Sequence, residues 1–120
     1  MASPTKTKST LLASQSIAAG ATATGPWVDC RAFFEMLACL SITVPGGAPS
    51  TGPTITYGAS PDGGTTAYQL QQFTGLTAAQ AYVFAPDDPV MYLQLSIKNN
   101  DGTSNAIVAV ADLMHIDTVA

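Results

Sequence analysis

Apolar and polar positions alternate with a period of two along most of the chain, and turn residues break the alternation into about eight segments. The clearest segment is 32–44. There Ala32, Phe34, Met36, Ala38, Leu40, Ile42 and Val44 form one continuous apolar face, with Phe33, Glu35, Leu37, Cys39, Ser41 and Thr43 opposite. A helix would accommodate 33–40 alone, but the alternation runs on into β-branched residues before Pro45 and predicts one long strand. Residues 90–98 repeat the pattern, with Met91, Leu93, Leu95 and Ile97 facing one way. The last segment, 105–116, is apolar on both faces around Ile107, Val108 and Val110, as expected of a strand inside a sheet. Shorter strands are predicted over 22–30, 54–59, 66–73 and 80–85, and a weak first strand or extended arm over 7–16.

The breaks have turn chemistry. Pro45 to Pro53 has almost no side-chain volume to pack, and in the run from Ser60 to Gly64 proline presets φ while glycine supplies positive φ. Asn99-Asn100-Asp101-Gly102 reads as a tight turn, and 74–79 as a single helical turn. The fold class that follows is all-β: a single β-sandwich or jelly-roll-like domain of about eight short antiparallel strands. It divides into an extended N-terminal arm over 1–16 and the sandwich over 17–120.

Composition changes this picture in one respect. The chain is 47% hydrophobic but only 10% charged, so hydroxyls and amides keep it in solution, against about 25% charged residues in an ordinary domain. Two readings fit this equally: a surface that ends up against other protein, or a sandwich with threonine-rich outer faces. The net charge of −4 leaves no basic patch for phosphates, which argues against nucleic acid as a partner. No segment approaches the ~18 apolar residues of a membrane-spanning helix, so no membrane association is expected. Nor is the N-terminus a secretion signal, because Ser14, Gln15, Ser16 and Gly20 interrupt its apolar stretch.

Candidate chemistry is sparse. His115 is the one histidine and sits between Met114 and Ile116 in the last predicted strand, where a packed or interface histidine is expected over a catalytic one. A Ser-His-Asp constellation is defined by geometry and not by spacing, so it stays open at this level. Asp87-Asp88, held between two prolines, reads as a solvated turn in preference to a calcium site. Asp62 and Asp101, each before glycine, read the same way. Cys30 and Cys39 lack any zinc spacing and are expected as reduced core thiols. Trp27 and the tyrosines would suit a sugar-binding platform or a core position equally. No enzyme activity, metal or cofactor is expected.

The run from Leu11 to Ala21 followed by Trp27-Val28-Asp29 resembles the opening of small virion proteins of tailed bacteriophages. Tyr57 to Gly63 and Tyr92 to Asn100 are similar to segments of the same proteins. The resemblance is one of composition and cadence, and it shows no match to the lambda-type decoration protein. It implies a non-catalytic structural protein that decorates and stabilises a capsid as a cement protein, bound to the major capsid protein. A homo-oligomer, trimer or dimer, on the capsid exterior would follow, made in the bacterial host cytoplasm. The alternative is a tail or fibre accessory module that binds a receptor or carbohydrate. An arm that adds a strand to a neighbouring subunit would place Lys6, Lys8, Leu11 and Leu12 in the protein interface, with Trp27 as a further contact.

Overall fold

The computed structural model describes residues 6–86, 89–102 and 105–117, and within them the chain forms nine strands in two antiparallel sheets. The strands are β1 (Lys6–Ile17), β2 (Thr22–Thr24), β3 (Val28–Asp29), β4 (Phe33–Thr43), β5 (Thr54–Ser60), β6 (Tyr68–Thr74), β7 (Gln80–Phe84), β8 (Tyr92–Lys98) and β9 (Ile107–Asp117). The first sheet has the order β1-β9-β4-β7; the second has β2-β8-β5-β6, with β3 also pairing β8. The all-β sandwich is therefore as expected, and β9 is central.

Period two sets the core. Met36, Ala38, Leu40 and Ile42 of β4 point inward beside Ile107, Ala109, Ala111 and Leu113 of β9. Across from them Leu93, Leu95 and Ile97 of β8 and Ile55 and Tyr57 of β5 close the second side. Tyr57 is fully buried with its ring 4.6 Å from that of Phe84, and its hydroxyl has no hydrogen-bond partner among the described residues. Burial pushes that phenol up to about 12. An unpaired buried hydroxyl costs about 1–3 kcal/mol, so Tyr57→Phe should raise the urea midpoint without changing the slope of the transition; a lower midpoint would show that the hydroxyl is satisfied.

Five expectations need correction. The arm does not extend to residue 16: from Lys6 onward the chain is β1, paired along its length with β9, and residues 1–5 lie outside the described residues. Leu11 and Leu12 are both buried in the core, because register shifts between Thr10 and Leu12 and between Leu12 and Gln15 turn successive residues inward. A third irregularity, between Phe33 and Met36, takes Phe34 off the core face and leaves it 54% exposed. Finally, Gly25-Pro26 splits the predicted 22–30 strand into β2 and β3, and residues 75–79 contain no helical turn.

The loops are held by side chains. Buried Asn99 donates to the carbonyls of Ile17 and Asn105 at 3.0 Å each. Buried Asp101 accepts from the backbone N–H groups of Ser50 and Asn105, both at 2.7 Å. Asp101 is thus a clamp on the proline-rich loop, not the solvated turn residue its sequence context predicts, whereas Asp62 does sit exposed in its turn. Asp87-Asp88 fall outside the described residues.

Candidate interaction surfaces

The outward face of the first sheet is unusual for a surface. Alternate residues of β9 that do not enter the core are Val108, Val110, Asp112, Met114 and Ile116; beside them β4 contributes Leu37, Cys39, Ser41 and Thr43. On the other flank β7 places Val83 next to Cys39, and Val83 is 71% exposed. Met114 is 45% exposed between Lys8 of β1 and Leu37 of β4. Apolar side chains thus stand on both sides of the sheet, interspersed on the outward side with Asp112, Ser41 and Thr43, and within the described residues the sandwich covers the other side. Toward one end of this face lies an open groove of about 510 Å³ whose walls include Lys6, Lys8, Glu35, Leu37, Met114 and Ile116. Lys8 also stands 4.0 Å from Asp112, an exposed pair worth little on its own.

Behind the same end of the sheet, His115 ties β1 to β9. Its Nδ1 lies 2.7 Å from Asp117 Oδ1 and 3.0 Å from Thr7 Oγ1, and its Nε2 lies 2.9 Å from Ser9 Oγ. Phe33 stacks on the imidazole at 3.5 Å, nearly parallel. A proton on Nδ1 satisfies the arrangement, with Ser9 donating to Nε2. The order hydroxyl–imidazole–carboxylate is that of a nucleophilic relay, but the His115 side chain is only 4% exposed. Its evident chemical effect is to latch an edge strand to its neighbour. His115→Ala removes the stack and these polar contacts and should cost about 2–4 kcal/mol, read as a lower urea midpoint; an unchanged midpoint would show the latch to be idle.

The outward face of the second sheet is polar by contrast. Thr56, Gln94 and Ser96 stand on it, and Trp27, in the link between β2 and β3, lies half-buried against it. At its edge Asp29 and Arg31 form a two-point ion pair, Nε to Oδ1 at 3.0 Å and Nη2 to Oδ2 at 2.8 Å, which holds the Asp29 carboxyl down to about 2. The Arg31 guanidinium in turn sits 5.1 Å from the centre of the Tyr92 ring.

The five interface candidates therefore separate. Lys6 and Lys8 reach the rim of the first sheet's groove, Leu11 and Leu12 belong to the core, and Trp27 lies on the opposite sheet. Cys30 is buried and free, its thiol pushed up to about 11 by burial, while Cys39 is also free but half-buried on the outward face, not in the core. The sequence pattern places Leu37 opposite the apolar face of 32–44, but it misses Val83 and Met114 as surface groups. The available signal was β9, whose two apolar faces require cover on both sides. No helix among the described residues is long and apolar enough to cross a membrane, and no cluster of potential metal ligands occurs among them.

No protein-family model and no curated protein matches the sequence. Among solved structures, the chain is similar to one from infectious bursal disease virus, Gt strain, with 15% identity over 95% of this chain and 32% of that chain, at a TM-score of 0.51. The Gx strain of the same virus gives 16% identity, the same coverage and a TM-score of 0.48. FLHE gives 13% identity over 99% of this chain and all of that chain, at a TM-score of 0.44. The chain spans about a third of the viral chains it matches. What the Gt-strain likeness shows is a shared fold: this chain is built as a β-sandwich of a kind also found in a virus structure.

Proposed function

We propose that this chain is a non-catalytic structural protein of a phage virion, which decorates and stabilises the capsid by binding the major capsid protein through the outward face of its first sheet. The observation that carries this reading is the apolar outward side of that sheet: Val83, Leu37, Met114 and Ile116 in one sheet face, next to a groove rimmed by Lys6 and Lys8. An apolar face of this kind is stabilised by protein cover and penalised in water. The low charge of the chain as a whole fits an interface core. The fold shared with a chain of a virus structure and the resemblance to small phage virion proteins support the class.

Docking here is by sheet face and not by a swapped arm, since β1 is already paired with β9. A dimer or trimer on a capsid symmetry axis would present several such faces at once. The experiment is to fractionate purified particles and quantify this chain against the major capsid protein. Copies on the order of hundreds per particle support a shell protein, while about six or twelve would move it to the tail or neck. Its absence from particles would overturn the reading.

A further inference from the structure

We propose that the outward face of the second sheet carries a binding site for neutral oligosaccharides, with Trp27 as its platform. This inference does not depend on where the protein sits in a particle, because the site is complete within one chain.

The lone tryptophan of the sequence is kept out of the core and bedded on the polar side of the sheet. Two glycines make that placement possible. A Cβ on Gly64, whose φ is +108°, would overlap the indole Nε1 and Cδ1, and a Cβ on Gly58 would stand 3.4 Å from Cη2. The indole is thus laid across the strand β5 and the turn that follows it, half-exposed beside a shallow groove of about 200 Å³. None of the residues lining that groove is charged.

The polar groups around the ring are set for hydroxyls. Gln94 Nε2 is engaged by the Gly25 carbonyl at 2.9 Å, which fixes the side chain and leaves its amide oxygen as an acceptor. Thr56 Oγ1 accepts from Gln72 Nε2 at 3.0 Å and keeps its own O–H to donate. The Gln69 amide, also at the groove, makes no hydrogen bond within the described residues and offers both donor and acceptor. Sugar rings present apolar C–H faces and equatorial hydroxyls that donate and accept together. A flat indole stacks on the former and amides meet the latter. An anionic sugar would find no lysine or arginine in the groove, and Tyr68, exposed in the same lining, adds a second ring beside Trp27.

Intrinsic fluorescence reports this site directly, since Trp27 is the one tryptophan. The purified chain is titrated with maltotriose, cellotriose and tri-N-acetylchitotriose as neutral probes and with sialyllactose as an anionic one. At least one neutral probe should give a saturable change in Trp27 emission, with a Kd of about 1 mM or tighter. By calorimetry, Trp27→Ala should weaken that probe at least about tenfold and Gln69→Ala about three- to tenfold. Gln69→Ala removes no side-chain hydrogen bond among the described residues, so it reads binding even should Trp27→Ala unfold the chain. Three results would overturn the proposal: no saturable change with any neutral probe up to about 10 mM, response to sialyllactose alone, or undiminished binding by the folded Gln69→Ala and Trp27→Ala variants.

Discussion

A chain lacking residues 1–17 will not fold cooperatively. The deletion removes Leu11, Leu12 and Ile17, which are 0%, 1% and 2% exposed. Burying an aliphatic side chain of this size contributes about 1.5–3 kcal/mol, so the three together approach the roughly 5–15 kcal/mol of net stability a domain has. Losses beyond burial point the same way. The β1–β9 ladder disappears, His115 loses Thr7 and Ser9, and β9, apolar on both faces, becomes an open edge. The measurement is urea unfolding followed by circular dichroism. The truncated chain should show no cooperative transition and should aggregate. A transition like that of the full chain would prove β1 to be a detachable arm after all.

Charging the outward face of the first sheet will abolish particle binding and leave the fold intact. Val83→Lys combined with Met114→Glu alters two exposed side chains, one beside Cys39 and one between Lys8 and Leu37. Substitutions at such surface positions usually shift stability by less than about 0.5 kcal/mol, and a glutamate at 114 stands next to the lysines of β1. In the docked state the lysine at 83 would be removed from water without a partner and the glutamate at 114 with only Lys8 beside it, at a cost of several kcal/mol. Rebinding to particles made without this chain should therefore fall at least about a hundredfold, which corresponds to ~2.7 kcal/mol. The urea midpoint of the double variant is the control. Normal binding by a normally folded variant would remove this face from the account.

The parts of the fold that were legible in the sequence are those where one residue follows another with strict alternation. Met36 to Ile42 and Leu93 to Ile97 lie on the faces their period predicts, and the last strand, apolar on both faces, is inside its sheet as expected. Where the ladder slips, the period fails. Leu11 and Leu12 are adjacent in sequence and both inward, a pattern that alternation assigns to no strand face, and so β1 reads as an arm. The irregularity before Met36 exchanges Phe33 and Phe34 in the same way: Phe33 packs on His115 and Phe34 turns outward.

The surfaces were less legible than the core. A valine or methionine in a strand reads as buried, and only the partners of that strand decide which side is left open. Lys6 and Lys8 reached a surface groove because β1 pairs with β9, not because they belong to a free arm. The polar network of Thr7, Ser9, His115 and Asp117 joins residues more than a hundred positions apart, beyond the reach of any local pattern.

A capsid-bound protein of this design has the outward face of its first sheet covered in the particle, and Cys39 reports on that directly. It lies in mid-face between Asp112 and Val83, while Cys30 is 1% exposed with its thiol raised to about 11. Thiol alkylation at neutral pH, located by peptide mass spectrometry, should modify Cys39 in the free protein while Cys30 stays unmodified. On intact particles Cys39 should be protected as well. Alkylation of Cys39 at the same rate on particles as in free solution would contradict the account.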